Sequence, residues 1–292
     1  MDEFASEYIE SIKVRNLSKN TIDAYSNDLK KFSDYIESNK EDIKEVSAYS
    51  IMAYVQKLQS DKLAQSSIIR SIMSIKSMYK YGVKKKVIKD DPFINFEIPK
   101  LIISVPEILT VEEVDKLLNI QDLNTNKGIR DKSMLEMMYA TGLKVNELLN
   151  LTTFDINTKF SYLKCRGLKN NERIVPFGSY AKQCLSDYME IRDEFNINQY
   201  TYLFLNSKGK KMTRQGFWKI IKFYADKADI KKNINLYTLR HSFAVHLLEN
   251  GADVKSVQEL LGNSSIYSIQ KYGDISKKNK LAQVYKNSHP RA

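Results

Sequence analysis

The sequence predicts a mainly α-helical protein with an N-terminal helical domain and a second, α-rich domain that carries a small antiparallel β-sheet. Apolar residues recur at three- and four-residue intervals through most of the 292 residues, which is the period of amphipathic helices. One short stretch alternates in the manner of strands around a turn. Three of the five prolines fall between residues 91 and 107, which indicates a break between the two domains.

The first domain, residues 1–90, is predicted to contain four helices. The clearest runs from Ser18 to Ser38, where Ser18 is a suitable N-cap and apolar residues share one face. The same period predicts helices from about Glu3 to Lys13, from about Ser47, and from about Gln65 to Lys84. The polar side of the last of these is a possible DNA-facing surface.

A linker is predicted over residues 91–107. Pro92, Pro99 and Pro106 each remove a backbone donor and bias the preceding residue to extended geometry. We therefore assign residues 108–292 to the second domain.

The second domain begins with Thr110 and Glu113, which fit a capping box, and continues with a helix from about Ile129 to Ala140 that ends at Gly142. Residues 160–176 predict a β-hairpin, because two alternating segments flank a Gly/Asn turn. The remaining predicted helices cover about residues 179–195, 213–228, 238–250 and 254–261, with a last one from about residue 276.

Composition narrows the functional classes. Lys and Arg number 46 against 35 Asp and Glu, and this net charge of +11 favours a polyanionic partner such as nucleic acid. No segment reaches the roughly 18 apolar residues of a membrane span, and the acidic start does not resemble a signal peptide. We expect a cytoplasmic protein. The two cysteines are expected to be buried or half-buried, with no zinc site.

Three segments of the second half carry the chemistry: MYATGLKVNEL at 138–148, LRHSFAVHLL at 239–248, and LLGNS at 260–264, followed by Tyr272. In these segments the sequence resembles the tyrosine recombinase (phage integrase) family, most closely its Xer-like members. Further similar text at residues 21–32, 79–99, 172–176, 203–209 and 289–292 extends the resemblance over nearly the whole chain.

The resemblance implies site-specific DNA recombination, in integration, excision or resolution. Members cut DNA with a tyrosine hydroxyl, which leaves a 3′-phosphotyrosyl link and a free 5′-hydroxyl. Charge gathers on the phosphate oxygens during attack, so two arginines suit their stabilisation. A lysine acts as general acid and two imidazole-type residues assist. Covalent storage of the bond energy implies no cofactor and no metal.

Carried over by position, Tyr272 matches the nucleophile and Arg240 the second arginine. Lys144 stands at the first arginine's position, where it keeps the charge but lacks the bidentate fork. In the hairpin turn, Leu168 aligns with the general-acid lysine and Lys169 follows it. Lys169 either replaces the acid or does not; the sequence leaves both open.

Two further positions depart from the family pattern. Tyr237 stands where histidine is usual, and Asn263 where histidine or tryptophan is usual. Both can still donate a neutral hydrogen bond to phosphate. His241 and His246 match positions outside the catalytic set, so we expect them to pack or to support other residues.

The resemblance also implies partners and an organisation. The first domain corresponds to a core-binding domain, and the two domains clamp double-stranded DNA. The active form is a homo- or hetero-tetramer on paired recombination sites, with no membrane involved. The substitutions at four of six positions motivate an alternative, a recombinase-derived DNA-binding protein with impaired catalysis.

Overall fold

The computed structural model describes residues 2–15, 17–94, 96–97, 106–166, 172–196, 199–262, 272–274 and 276–277. Its contacts divide the chain into two compact units, Met1–Ser104 and Val105–Ala292. The predicted fold class is confirmed, since the first unit is helical and the second is α-rich with a small antiparallel sheet.

The four helices predicted in the first unit are all present. They are α1 (Glu3–Lys13), α2 (Lys19–Ser38), α3 (Ala48–Ser60) and α4 (Gln65–Lys84). The predicted N-cap is also confirmed, because the Ser18 side chain accepts a hydrogen bond from the Thr21 N–H.

The core of the first unit is rich in aromatic side chains. Tyr79 is fully buried, and its hydroxyl donates to the Ile43 carbonyl over 2.7 Å. Phe93 packs against Tyr79 with ring centroids 6.0 Å apart, and Phe96 packs against Phe93. The packed part of this unit therefore extends beyond α4 into the segment that the proline pattern marks as a linker; residues 98–105 lie outside the described residues.

The second unit contains seven described helices. They are α5 (Val111–Asn119), α6 (Asn126–Thr141), α7 (Val145–Asn150), α8 (Ser179–Phe195), α9 (Arg214–Lys227), α10 (Thr238–Glu249) and α11 (Val254–Leu261). The capping box that begins α5 is confirmed, with Thr110 and Glu113 bonded reciprocally. A buried core of the second unit unites residues from most of these helices with the sheet.

A three-stranded antiparallel sheet crosses this unit in the order β1 (Ile156–Asn157), β2 (Tyr162–Arg166) and β3 (Glu172–Pro176). The predicted hairpin is formed by β2 and β3, where Cys165 lies opposite Arg173 and Leu163 opposite Val175. These four residues share the inward face of the sheet, which turns an arginine toward the interior.

Three details differ from the sequence prediction. Helix α6 begins at Asn126 rather than near Ile129, because the Thr125 side chain caps it through the Gly128 N–H. Helix α7 and strand β1 were not predicted, since six and two residues are too short to show a clear period. The last predicted helix, from about residue 276, lies almost wholly outside the described residues.

Within the described ranges, no helix combines the length and the apolar character that crossing a bilayer requires. The same ranges contain no group of three or more His, Cys, Asp or Glu side chains placed to hold a metal ion. Cys165 is buried and Cys184 half-buried, as expected.

Candidate active site

Arg240 is anchored between the ends of two helices. It lies in the first turn of α10 and is only 4% exposed. Its guanidinium donates to the Gly142 carbonyl over 2.6 Å and to the Leu261 carbonyl over 2.8 Å. These carbonyls belong to the C-terminal ends of α6 and α11, where helices leave carbonyls unsatisfied and carry partial negative charge. Burial lowers the pKa of Arg240, although an arginine remains charged at neutral pH.

Gly142 allows this arrangement. It ends α6 in the left-handed region, at φ 57°. A Cβ added there would lie 2.3 Å from the Phe243 ring and 2.9 Å from a methyl carbon of Leu261. The backbone conformation and the close packing both require glycine at the point where the chain turns to present its carbonyl to Arg240.

Glu147 and Arg173 form a second anchor next to the first. Two parallel hydrogen bonds join them, from Nη1 to Oε1 at 3.0 Å and from Nη2 to Oε2 at 2.9 Å. Arg173 also donates from Nε to the Leu260 carbonyl at 2.9 Å and from Nη1 to the Cys165 sulfur at 3.2 Å. This pair therefore joins α7, β2, β3 and α11.

Lys144 is the residue before α7, and Glu147 holds its backbone. The Lys144 N–H donates to Oε2 of Glu147 over 2.8 Å. The ammonium itself is 3.9 Å from Oε1, and the side chain is 44% exposed. Burial would raise the pKa of Glu147, but the bonds from Arg173 and from the Lys144 N–H outweigh it and hold that pKa below its usual range.

Tyr272 packs onto the helix that carries Arg240. Its side chain is 8% exposed, and its ring lies 5.5 Å from the His241 ring, centroid to centroid. Burial raises the pKa of Tyr272, and the positive charge of Arg240 opposes this increase. The phenol is therefore protonated at neutral pH.

Tyr237 lies one turn before His241 and partly in solvent, with 42% of its surface exposed. Its ring stacks on His241 at 6.1 Å between centroids and 16° between planes. Its hydroxyl accepts a hydrogen bond from Arg214 of α9 over 3.2 Å, and the Arg214 guanidinium also lies over the ring. The position at which the family usually has histidine thus carries a tyrosine bound to a cation.

The two histidines of α10 have different surroundings. Burial, with a smaller effect of the charge on Arg240, lowers the pKa of His241 to about 4, so the ring is neutral at physiological pH. Its Nδ1 is buried without a hydrogen-bond partner among the described residues. His246 pairs with the Tyr139 hydroxyl at 2.9 Å and the Leu109 carbonyl at 3.0 Å. His246 thus joins three segments of the unit, consistent with a supporting role.

Four of the six predicted site residues are among those that the structure describes. Arg240 and Lys144 are linked through the α6–α7 turn, and Tyr272 and Tyr237 both lie against His241 on α10. Lys169 and Asn263, together with Leu168, lie outside the described residues.

Sequence reasoning missed Glu147, Arg173 and Arg214 as site residues. The first two occur inside the segments used to establish the resemblance, but neither was assigned a role. A usable signal existed for Arg173: it alternates with Val175 on the inward face of a strand, and an inward arginine needs a partner. Nothing in the local pattern marks Arg214.

Comparison with known proteins agrees with this geometry. Residues 107–279 match the model of the phage integrase family, and residues 5–86 match its N-terminal SAM-like domain. The tyrosine recombinase XerD of Staphylococcus epidermidis is 41% identical over the full length of both chains. XerD of Oceanobacillus iheyensis is 40% identical over 95% of each chain.

The chain belongs to the tyrosine recombinase family. As a recombinase resembling XerD, it performs site-specific DNA recombination.

Solved structures of tyrosine recombinases share its fold. The XerH recombinase bound to a palindromic difH substrate has a TM-score of 0.76 and 20% identity, over 96% of this chain and 84% of that one. The XerA recombinase has a TM-score of 0.55 and 24% identity, over 99% of both chains.

Proposed function

We propose that this recombinase cuts double-stranded DNA through Tyr272, with Arg240 and Lys144 binding the scissile phosphate. The observation that carries this proposal is the anchoring of Arg240 between α6 and α11, on the helix against which the Tyr272 ring packs. Helix α10 thus carries a cation and packs against the proposed nucleophile, which supports their acting together. Rigid placement of charge before reaction is the main way in which enzymes stabilise a developing anion.

The proposed reaction is a transesterification. The Tyr272 oxygen bonds to phosphorus and its hydroxyl proton passes to solvent water, while the bond between phosphorus and the 5′-oxygen breaks. Lys169 supplies the proton that converts the leaving oxygen to a 5′-hydroxyl. The cations of Arg240 and Lys144 offset the charge that gathers on the non-bridging oxygens, and Tyr237 and Asn263 donate neutral hydrogen bonds to them. Rejoining is the same sequence in reverse.

The wider organisation is also part of the proposal. The first unit acts as the core-binding domain, over about residues 1–90, and residues 91–107 connect it to the catalytic domain at 108–292. Four protomers, identical or of two kinds, assemble on paired sites in the cytoplasm. The net charge of +11 supports contact with many phosphates, and binding should therefore weaken steeply with salt.

A covalent trapping assay tests the assignment. A binding site is first selected from a random duplex library, and a nick is then placed so that the cut fragment diffuses away. The parent protein should accumulate a detergent-resistant complex with the 3′ end of the cut strand. Tyr272→Phe removes only the hydroxyl, so it should bind the duplex as the parent does and form no such complex.

Tyr188→Phe is the matched control. Its hydroxyl donates to the Leu203 carbonyl and accepts from the Leu205 N–H, so its loss affects packing and leaves the proposed chemistry intact. The control should still form the covalent complex. A complex formed by Tyr272→Phe would assign the nucleophile elsewhere, and none from the parent would favour the alternative of a DNA-binding protein with impaired catalysis.

A further inference from the structure

The bidentate pair of Glu147 and Arg173 has a consequence for Lys144. The Glu147 side chain is 7% exposed, and two cations, Arg173 and Lys144, lie within 4 Å of its carboxylate oxygens. Arg173 occupies both oxygens at hydrogen-bond distance, whereas the Lys144 ammonium stays 3.9 Å away. Parallel two-point bonds between guanidinium and carboxylate are stronger than a single ammonium contact.

Arg173 is itself held in place by several elements. Its Nε bonds to the Leu260 carbonyl, and Cys165 lies opposite it in the sheet register. Gly262 covers the guanidinium so closely that a Cβ at this position would lie 2.7 Å from Nη1. The fork therefore has little freedom to release Glu147.

We propose that Arg173 is a positioning residue that engages the Glu147 carboxylate and so leaves the Lys144 ammonium available to the scissile phosphate. Without Arg173, a buried carboxylate would remain with the ammonium of Lys144, the residue before α7, 3.9 Å away, and leaving that charge unpaired is costly. Lys144 would turn toward Glu147 and be lost as a phosphate ligand. This inference rests on the phosphate-binding role of Lys144 in the proposed function.

The test is single-turnover cleavage of the same nicked duplex. Arg173→Met should slow cleavage by about 10²-fold, the usual effect of losing one donor to a developing oxyanion. Glu147→Gln introduced into Arg173→Met removes the competing carboxylate charge, so Lys144 is released and cleavage should rise by about tenfold or more above the single variant.

This rise separates positioning from a structural role. The variants are compared at a temperature at which circular dichroism shows each of them folded, so that relief of the unpaired Glu147 charge does not raise the rate through stability alone. If cleavage does not recover in the double variant under these conditions, the inference is overturned. Arg192→Met is the matched control, because Arg192 is also a largely buried arginine of the same unit, with 6% of its side chain exposed against 16% for Arg173. It bonds to the carbonyls of Tyr200, Tyr202 and Leu203. Arg192→Met should lower the melting temperature of the protein. Its cleavage rate should equal that of the parent at temperatures where both are folded.

Lys144→Ala tests the positioning role of Arg173 separately from the phosphate-binding role of Lys144. In the parent it should slow cleavage, and in Arg173→Met it should add almost nothing, because Lys144 is already lost there. No effect in the parent would refute the phosphate role of Lys144. A clear effect in the parent together with full additivity in Arg173→Met would refute only the role of Arg173.

Arg173→Lys is a milder variant that keeps the test decisive if methionine prevents folding. Lysine retains a cation for Glu147 but has no fork with which to bond the carboxylate and the Leu260 carbonyl together. Arg173→Lys should slow cleavage by about tenfold, which is less than the effect of Arg173→Met. Adding Glu147→Gln to Arg173→Lys should again raise the cleavage rate. No recovery on adding Glu147→Gln would overturn the proposal.

Discussion

Substitution of Gly142 by alanine tests whether the end of α6 positions Arg240. An alanine at φ 57° costs about 1–2 kcal/mol. Its Cβ would also meet the Phe243 ring at 2.3 Å, and overpacking of this kind costs about 1–3 kcal/mol. The free energy of unfolding should fall by about 2–5 kcal/mol, which lowers the melting temperature of a unit of this size by about 4–20 °C.

Gly251→Ala is the matched control. Gly251 also has a positive φ, 94°, but nothing lies within 4 Å of an added Cβ. It should lose only the backbone contribution of about 1–2 kcal/mol. Trp218 is the single tryptophan and lies on α9, so its fluorescence follows the unfolding of the second unit.

Cleavage should separate the two glycine variants further. A shift of the Gly142 carbonyl moves Arg240, and a misplacement of about 1 Å in a catalytic group costs about 10²-fold in rate. Gly251→Ala should cleave at the parent's rate at temperatures where both are folded. The reasoning fails if Gly142→Ala loses no more stability than Gly251→Ala, or if it cleaves as fast as the parent.

Two further predictions concern the same site. Lys144→Arg should raise the single-turnover cleavage rate with little change in DNA affinity, because a guanidinium can hold two phosphate oxygens; an unchanged or lower rate would show that the pocket is adapted to lysine. Burial lowers the pKa of His241 from 6.5 to about 4, so the unfolded chain gains a proton that the folded chain does not as the pH falls through this range. The free energy of unfolding should therefore decrease from pH 6.5 to 4 by up to about 3 kcal/mol. Urea unfolding followed by Trp218 fluorescence should show that this free energy depends less on pH in His241→Asn than in the parent. An equal dependence would contradict burial of His241 as its cause.

Local patterns in the sequence predict the described helices of four turns or more and several shorter ones, but not α7. Each helix depends on contacts between residues three or four positions apart and on caps such as Ser18 and Thr110, and these are visible in the sequence. The family segments likewise identified Arg240, Lys144 and Tyr272 as site residues, a prediction that the cleavage experiments test. The short elements α7 and β1 were missed because their few residues give no period.

The tertiary structure decided how these residues are held. Arg240 bonds to a carbonyl 98 positions earlier in the chain, and Arg173 bonds to a carboxylate 26 positions earlier and a carbonyl 87 positions later. Such contacts form only when α6, α7, β3 and α11 pack together, and no local preference for helix or strand specifies them. For this protein, the sequence by itself determined most of the secondary-structure elements and the type of chemistry. Only packing determined which carboxylate, carbonyl and cation meet, because these groups are far apart in the chain and come into contact only in the folded protein.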